Sequence, residues 1–358
     1  MDIQELCNDF RFEGEFLRYE VITVGNINST YKVIMQKGDE VISYLLQKIN
    51  KNVFAHPEKI MQNITSINLY IDHRHKCDDL FVLHFIDCVN GNPYVVDSHG
   101  NFWRACRFFE CAVFNTTDNM KVIEEAGRAF GQFQYFLNGY DAKRLHVTIP
   151  DFHNTKKRIL SLEKTIKYAS GDRKDKAKEE IDYILAHKDM AVELCNLLDE
   201  GRLPLRVTHN DTKCNNVLFN KDNFNALAVI DLDTVMPGLC GYDFGDGARS
   251  ICSTTEEDET NLDLVKFDLD KFESFSKGYF KYLKEILNED EKNTLALSVF
   301  VMTIELASRF LQDYLNGDVY FKVTMKEHNL IRTRCQIALC KDILLKLDKM
   351  DEIVKKYL

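Results

Sequence analysis

The sequence predicts an α+β protein in which a small antiparallel sheet with one helix precedes a larger, mostly helical part. Two observations support this fold class. Between residues 15 and 110, apolar and β-branched residues mostly alternate with polar ones, as in half-buried strands. After residue 118, apolar residues recur on one face of several long segments, as in amphipathic helices. A length of 358 residues allows two lobes to form a sizeable core.

The first part of the chain is predicted to form a sheet interrupted by one longer helix. Residues 1–13 favour a short helix before the sheet begins. The turn Lys37-Gly38-Asp39 is typical of a hairpin, and Pro57-Glu58 is a favoured helix start. The predicted strands are 15–24, 30–35, 41–49, 80–87 and 102–109, and the predicted longer helix is 57–74.

The second part is predicted to be helical except for short strands around residues 207–233. No flexible linker separates the two parts, so we predict lobes of residues 1–112 and 113–358 with a hinge near 109–113. The predicted helices are 119–136, 155–170, 173–198, 266–287, 290–315 and 326–347.

Composition excludes several classes of protein. A net charge of −10 argues against nucleic acid as the main partner, because phosphate binding requires a basic face. The eleven cysteines are scattered without a C-x-x-C pair, and the N-terminus carries no signal peptide, so we expect reduced thiols in a cytoplasmic protein. No run reaches the roughly 20 apolar residues of a membrane helix. No obligate protein partner is evident.

The most informative stretch is the predicted loop at 207–219 and the strand that follows it. His209 and Asp211 are separated by one residue, Asn216 comes five residues after Asp211, and Asp231 ends the apolar run at 227–230. These groups suit phosphoryl transfer, with Asp211 orienting and deprotonating a hydroxyl. Asn216 and Asp231 supply the oxygen ligands that hold Mg²⁺ against the phosphates of ATP.

The spacing His-x-Asp-x-x-x-x-Asn is that of the protein-kinase catalytic loop. The residues themselves, His209-Asn210-Asp211-Thr212-Lys213 and 230–238, resemble the aminoglycoside phosphotransferase and choline kinase superfamily, and most closely its N-acetylhexosamine 1-kinases. The resemblance implies a bilobal protein-kinase-like fold, ATP and Mg²⁺ as cofactors, and a small-molecule acceptor. Only about ten residues separate Asp231 from Asp243, too few for a regulated activation segment, which also favours a small acceptor.

Other residues of the loop have less certain roles. Lys213 could neutralise charge on the transferring phosphoryl group. His209 is expected to brace the backbone rather than act as an acid or base, as the resemblance implies. Asp233 could contact the metal, contact the sugar or be structural. Asp243 is predicted to be structural, as a helix cap that ties down the loop.

The nucleotide side is predicted from the resemblance and from the strand pattern. The loop at 24–30, with Gly25, Asn28, Ser29 and Thr30, is expected to hold phosphates through backbone amides and hydroxyls. A kinase usually presents a lysine from its third strand, but that place falls on Gln47, with Lys48 on the opposite face. The phosphate cation is therefore not identified. Glu110 and Cys111, at the hinge, are expected to meet adenine through their backbone.

The acceptor side is predicted from segments at 149–155 and 305–321 that resemble hexosamine kinases. Sugar hydroxyls and an N-acetyl group require polar side chains and an aromatic wall. The candidates are His153, Asp233, Arg309, Asp313 and Tyr320. Each could instead form a salt bridge on a helix surface or between the lobes.

These observations predict an ATP- and Mg²⁺-dependent kinase that phosphorylates the anomeric hydroxyl of an N-acetylhexosamine. Two alternatives remain open. One is another small-molecule kinase of the superfamily, acting on an aminoglycoside, choline or homoserine, since the acidic balance would suit a cationic acceptor. The other is a nucleotide-binding pseudokinase, although the intact set of Asp211, Asn216 and Asp231 argues against it.

Overall fold

A computed structural model describes residues 2–23, 28–74, 80 and 83–358. The first lobe contains an antiparallel sheet of five strands in the order β1-β2-β3-β5-β4. This sheet, followed by a larger helical lobe, confirms the predicted α+β fold with a kinase-like arrangement. The strands are β1 (Glu15–Ile22), β2 (Ser29–Lys37), β3 (Glu40–Ile49), β4 (Val95–Val96) and β5 (Phe102–Arg107).

The two faces of the sheet have different environments. On the outer face, a short helix α1 (Ile3–Cys7) packs its buried side chains against β2, β3 and β5. The other face points to the second lobe. Gln47 of β3 pairs across the strands with Arg104 of β5, so their side chains share one face, because paired residues of an antiparallel ladder do. Lys48 lies on the outer face, with its ammonium 6.0 Å from the Trp103 ring.

The long helix of the first lobe, α2 (Pro57–Arg74), begins at the predicted proline. Its isoleucines at 60, 64, 67 and 71 form one buried face in the main core. The predicted strand at 80–87 was wrong for the residues that are described there. They make a single bridge, Phe85 to Cys106, because the chain turns away from the sheet at Cys88, whose N–H donates to Asn92.

The second lobe is helical, as predicted, with three differences. Of the helix predicted at 266–287, only Leu269–Tyr279 is α-helical, and one 3₁₀ turn, Phe280–Tyr282, follows it. The predicted single helix at 173–198 is broken at Ala177, His187 and Val192. At the second break, the His187 ring is hydrogen-bonded to the Tyr183 carbonyl at 2.9 Å. The last helix runs to Tyr357 because buried Met350 and Val354 continue its apolar face. The helices are α3 (Met120–Phe136), α4 (Thr155–Tyr168), α5 (Gly171–Lys176), α6 (Lys178–Ala186), α7 (Lys188–Ala191), α8 (Glu193–Asp199), α9 (Cys240–Ile251), α10 (Leu269–Tyr279), α11 (Glu289–Leu315) and α12 (His328–Tyr357).

Helix α11 lies at the centre of the helical lobe and packs against α4, α9 and α12. A capping box between Asn288 and Glu291 fixes its start. Among the described residues, it is the one helix long and apolar enough to cross a membrane, and most of its apolar stretch is buried inside the protein. Glu305 and Arg309 interrupt that stretch, and Arg309 is one of the residues predicted for the acceptor.

Two short strand pairs interrupt the helical lobe. β6 (Arg206–Thr208) pairs with β9 (Met236–Gly238), and β7 (Val217–Phe219) pairs with β8 (Ala226–Val229). Ala112, in the connection between the lobes, exchanges both backbone hydrogen bonds with Phe219, at 2.8 and 2.9 Å. The connection is therefore fastened to β7. The lobe boundary near 112 stays a prediction.

Glycines allow α3 and α10 to approach closely. A methyl group on Gly131 of α3 would lie 2.0 Å from the carbonyl oxygen of Tyr279 in α10. Contacts this short force the helices apart. The spacing matters for the site because α3 also carries Gln134, which contacts the catalytic loop through Asp243.

We expect Gly131→Ala to lower the free energy of unfolding by about 1–3 kcal/mol, the usual cost of overpacking a well-packed core. Urea denaturation measures the change. Gly171→Ala is the matched control, because a methyl there meets nothing within 4 Å. Equal loss of stability in the two variants, or none in Gly131→Ala, would contradict the packing argument.

Candidate active site

The loop that carries Asp211 is fixed between the two short strand pairs. Asn210 adopts a φ of 64°, a left-handed conformation that asparagine tolerates better than most residues. Its side-chain amide donates to the carbonyl oxygens of Thr208 at 3.2 Å and Thr234 at 2.9 Å. The turn that leads from β6 into Asp211 is therefore held by its own side chain.

A buried carboxylate under the loop binds its backbone. Asp243, 1% exposed, accepts from the backbone N–H of His209 at 2.9 Å and of Asn210 at 2.8 Å, and from the side-chain amide of Gln134 at 2.7 Å. Burial raises the pKa of Asp243, and these hydrogen bonds oppose that effect. Asp243 ties down the loop, as predicted. The prediction that it caps a helix was wrong, because α9 begins earlier and has Leu239 at its N-cap.

His209 braces the loop from within. Its Nδ1 accepts from the backbone N–H of Asp211 at 3.3 Å, so Nε2 carries the proton and donates to the carbonyl oxygen of Ile230 at 2.8 Å. The ring also meets Phe130 edge-on at 5.6 Å. Both nitrogens are occupied by backbone partners. This geometry agrees with the expectation of a structural role for His209.

Asp211 lies in an ionised pair at the cleft. Lys213 Nζ is 3.0 Å from Asp211 Oδ1, and the amide of Asn216 donates to Asp211 Oδ2 at 3.1 Å. Burial alone would raise the pKa of Asp211, but Lys213 and these hydrogen bonds hold it below its ordinary value. The Asp211 carboxylate in turn raises the pKa of Lys213. Both groups are therefore charged at neutral pH.

Asn216 and Asp231 are brought together by a backbone hydrogen bond. The N–H of Ile230 donates to the carbonyl oxygen of Asn216 at 2.9 Å, so Asp231 follows directly beside Asn216. Asp231 has a φ of 59° and is exposed. Partial loss of solvation, followed by the charges of Asp233 and Asp211, raises the pKa of Asp231 to about 6. A nearby cation would relieve this repulsion.

The chemistry of these two side chains fits a hard cation. The amide nitrogen of Asn216 is occupied by Asp211, which leaves its amide oxygen for a ligand. In the described part of the chain, no donor reaches the carboxylate of Asp231. The same part contains no cluster of three histidine, cysteine or acidic side chains suited to a metal. One carboxylate with one amide is instead the sparse set that Mg²⁺ uses when phosphate and water complete its shell.

Asp233 is committed to contacts within the protein. It is 1% exposed, its Oδ1 pairs with Arg104 of β5, and its Oδ2 accepts from the side chain of Asn28 at 2.9 Å. Of the three roles considered for Asp233, this geometry favours the structural one. It also brings Asn28, from the expected phosphate loop, directly to the metal side of the site.

The other residues predicted for the nucleotide lie along the sheet and the hinge. The hydroxyl of Thr30 accepts from Gln47 at 3.4 Å, while Ser29 is exposed. Glu110 is exposed and pairs with Lys32 and Lys221, so its side chain joins the lobes at the surface. Cys111 is half-buried, and burial raises the pKa of its thiol. Gly25 lies outside the described residues.

Two of the predicted acceptor residues form the buried frame of the cleft. His153 contacts Glu305 at 2.9 Å and the carbonyl oxygen of Asn210 at 3.0 Å. Burial opposes the charge on His153, but Glu305 overcomes this and raises its pKa, while the pKa of Glu305 is lowered. Asp313 uses both oxygens on the loop after α11, accepting from the backbone N–H groups of residues 319, 320 and 321.

Arg309 and Tyr320 remain available for a ligand. The guanidinium of Arg309 lies 5.2 Å from the Phe152 ring and 5.6 Å from the Phe321 ring. Within the described residues it has no hydrogen-bond acceptor and no ion-pair partner. Tyr320 is 65% exposed. Among the predicted acceptor residues, His153 and Asp313 are thus fixed by contacts within the protein. The guanidinium of Arg309 lies beside aromatic rings and has no polar partner among the described residues.

Residues 87–275, slightly more than half of the chain, match the phosphotransferase enzyme family known as APH. The chain belongs to this family. The matched segment contains Asp211, Lys213, Asn216 and Asp231, together with Asp243, which holds their loop. The candidate catalytic loop and the candidate metal ligands thus lie in the part of the chain that the family shares.

Solved structures show the same fold over nearly the whole phosphotransferase. A microcompartment-associated aminopropanol kinase superposes with a TM-score of 0.64 at 14% identity, covering 97% of both chains. An aminoglycoside phosphotransferase from Alicyclobacillus acidocaldarius has a TM-score of 0.64 at 10% identity, covering 99% of this chain and 97% of its own. The spectinomycin phosphotransferase APH(9)-Ia, solved with ADP and spectinomycin, has a TM-score of 0.56 at 13% identity, covering 97% and 98%.

Arg104 contacts Asp233 in the candidate site, and sequence reasoning missed it. The strand Phe102–Arg107 is otherwise apolar up to its exposed end, and Arg104 lies near its middle. A charged residue inside a buried strand is rare unless it is paired. That signal was present in the sequence, but its partner, Asp233, lies 129 residues away and could not be identified from it.

We expect Asp243→Asn to destabilise the protein, because it loosens the loop that carries Asp211. An asparagine offers only one acceptor oxygen, so one of the two buried N–H groups, at His209 or Asn210, loses its partner. The free energy of unfolding should fall by about 1–3 kcal/mol, the usual cost of an unsatisfied buried group. Thermal or urea denaturation measures it. Asp222→Asn, in an exposed turn, is the control, and an equal effect of the two changes would contradict this role for Asp243.

Proposed function

We propose that the protein is an ATP- and Mg²⁺-dependent kinase that phosphorylates the anomeric hydroxyl of an N-acetylhexosamine such as GlcNAc or GalNAc. The observation that carries the proposal is the ionised Asp211 beside the free amide oxygen of Asn216 and the unpaired carboxylate of Asp231. A base and two oxygen ligands of this kind are what phosphoryl transfer requires from a protein. The product would be a hexosamine 1-phosphate for sugar salvage.

The residues present fit a metal-bound nucleotide. Asn216 and Asp231 would hold Mg²⁺, which when bound supplies positive charge to the phosphate oxygens. The backbone at Glu110 and Cys111 is the expected place for adenine, since Ala112 is already bonded to Phe219. The ADP found in spectinomycin phosphotransferase supports a nucleotide in this cleft.

Asp211 has a modest chemical task in this proposal. Its carboxylate accepts a hydrogen bond from the acceptor hydroxyl and aims that oxygen at the γ-phosphorus. As the new oxygen–phosphorus bond forms, the bond to the ADP oxygen breaks and the hydroxyl proton passes to Asp211. A weak base suffices because a hemiacetal hydroxyl is more acidic than an ordinary alcohol. The ammonium of Lys213 stabilises the carboxylate and can face the transferred group.

Arg309 supports a neutral acceptor over a cationic one. A guanidinium held between two aromatic rings can donate to a carbonyl oxygen, such as that of an N-acetyl group, and the rings can pack against a sugar face. The same guanidinium repels an ammonium group. Together with the resemblance of residues 305–321 to hexosamine kinases, this charge favours a sugar.

Two other functions remain as alternatives. Kinases of this fold act on amines and aminoglycosides, and the net charge of −10 would favour such acceptors. Arg309 opposes that alternative. The presence of Asp211, Asn216 and Asp231 together argues against a nucleotide-binding pseudokinase. Measuring ATP hydrolysis with and without sugar distinguishes a pseudokinase from an enzyme.

A cytoplasmic location is part of the proposal. All cysteines in the described residues are free, and most are buried. Free thiols persist in reducing compartments. The negative charge and the buried position of α11 agree with a protein that acts on small molecules without nucleic acid or membrane.

We expect Asp211→Asn to lower kcat by on the order of 10²–10⁴-fold while the protein stays folded, because the amide cannot accept the proton. A coupled assay of ADP release measures kcat, and circular dichroism checks the fold. Asp222→Asn is again the control and should keep full turnover. Unchanged turnover in Asp211→Asn would remove Asp211 from the mechanism.

A panel of acceptors tests the substrate directly. We expect ADP release with ATP, Mg²⁺ and free N-acetylhexosamines, and a product whose phosphorus couples to the anomeric proton in NMR spectra. Choline, homoserine and aminoglycosides should give at most about a hundredth of that kcat/KM, since discrimination by one repulsive charge is worth a few kcal/mol. Preferential turnover of an amine would replace the sugar proposal with its first alternative.

We expect Arg309→Met to raise KM for the sugar by about tenfold or more, the usual loss for a hydrogen bond from a charged donor. KM for ATP should change little, because Arg309 lies on the acceptor side. Arg332→Met is the matched control, since Arg332 also lies over an aromatic ring, Phe310, but on α12. A sugar KM that is the same in both variants would exclude Arg309 from the acceptor site.

A further inference from the structure

The face of the sheet that points to the second lobe carries a buried arginine. Arg104 is 2% exposed and extends from β5 beside Gln47 of β3, its cross-strand partner. Gln47 stands where a kinase usually presents its lysine. On this face of the sheet, a positive charge is therefore carried by β5 rather than by β3.

The guanidinium of Arg104 is held in a fixed orientation by neutral contacts. Its Nε donates to the side-chain oxygen of Gln47 at 3.1 Å, and its face lies 4.6 Å from the Phe85 ring. Gln47 is fixed in turn by its hydrogen bond to the hydroxyl of Thr30 at 3.4 Å. Its Nη1 lies 4.0 Å from the sulfur of Met61 in α2 and pairs with Asp233 of the second lobe.

Asp233 joins three segments of the first lobe to the metal loop. Its two oxygens bind Arg104 of β5 and Asn28 at the end of the β1–β2 loop. The side chain of Asn28 also accepts from the backbone N–H of Asn50, just after β3, at 3.0 Å. One carboxylate of the second lobe is thus the meeting point of the loop, β3 and β5.

The position of Asp233 makes this contact important for the metal site. Asp233 follows Asp231 by two residues, and the charges of Asp233 and Asp211 both act on Asp231. A third free carboxylate would add to the repulsion around Asp231 and could compete for the cation. Pairing with Arg104 offsets part of that charge and fixes the backbone between Asp231 and Asp233.

We propose that Arg104 is a positioning residue that replaces the third-strand lysine of kinases. By neutralising and orienting Asp233, it holds Asp231 ready for the metal–nucleotide complex and joins the loop that ends at Asn28 to the metal loop. The proposal rests on the nucleotide half of the proposed function and not on the identity of the acceptor.

Calorimetric titration of the full chain with ADP, with and without Mg²⁺ and without any acceptor, tests the proposal. Arg104→Met should weaken MgADP binding by about tenfold or more, in line with the loss of one charged partner, and change the affinity for Mg²⁺-free ADP by less than about threefold. In steady-state kinetics KM for ATP should rise, while KM for the acceptor stays within about threefold. Unchanged MgADP affinity in folded Arg104→Met would overturn the proposal.

A variant that carries the positive charge on β3 distinguishes a role of Arg104 in positioning Asp233 from a role in overall stability. The double variant Arg104→Met with Gln47→Lys should regain a measurable part of the lost MgADP affinity, because a lysine there can again reach Asp233. Arg206→Met is the matched control, since it breaks another largely buried ion pair, with Glu291, away from the sheet. It should lose stability but keep MgADP affinity. No recovery in the double variant, or an equal affinity loss in the control, would count against the proposal.

If Arg104→Met does not fold, Arg104→Lys replaces it. A lysine keeps the charge but cannot contact Gln47 and Asp233 together, so a loss of MgADP affinity of about tenfold supports the proposal, and wild-type affinity overturns it. If the wild-type protein itself does not bind MgADP, the proposed function fails together with this inference. If it binds MgADP but phosphorylates no sugar, only the acceptor proposal fails.

Discussion

The geometry of the site depends on the carboxylate of Asp243 beneath the catalytic loop. It accepts from the backbone of His209 and Asn210, which puts the start of the loop in one conformation. Because Asp243 belongs to α9, and α9 packs against α11, the loop takes its position from the centre of the helical lobe. The rigidity required of a base that must aim a hydroxyl is therefore supplied by a packed core rather than by the loop itself.

Three aspartates near one another acquire three different properties from their surroundings. Lys213 and Asn216 keep Asp211 ionised, so its carboxylate can accept a hydrogen bond from the hydroxyl of an acceptor substrate. Asp231 has no donor among the described residues and its pKa is raised to about 6, which makes it receptive to a cation. Asp233 is neutralised by Arg104. The division of roles comes from partners that each carboxylate meets in the fold, because the three side chains are chemically equivalent.

The acceptor side shows the same relation between framework and function. The polar atoms of His153 and Asp313 are hydrogen-bonded to backbone groups and to buried side chains. These contacts fix the loop that carries Asp211 and the loop after α11. Arg309 lies between two aromatic rings that hold it without consuming its hydrogen-bond donors. A charged group fixed by rings alone keeps its hydrogen-bond donors for a ligand, and for this reason the proposed function assigns Arg309 to the acceptor.

The sequence alone determined the α+β fold class and the order of most elements, because these follow from local periodicity. Spacing within one loop brought Asp211 and Asn216 together, while Asp231 and the place of Gln47 were expected from the resemblance to a kinase family. Only the tertiary structure decided that Arg104 pairs with Asp233, that Phe85 makes a single bridge to β5 instead of belonging to a strand, and which predicted acceptor residues are free of polar partners among the described residues. Those outcomes depend on contacts between residues far apart in the chain, and a side chain's partner across a fold leaves no local pattern.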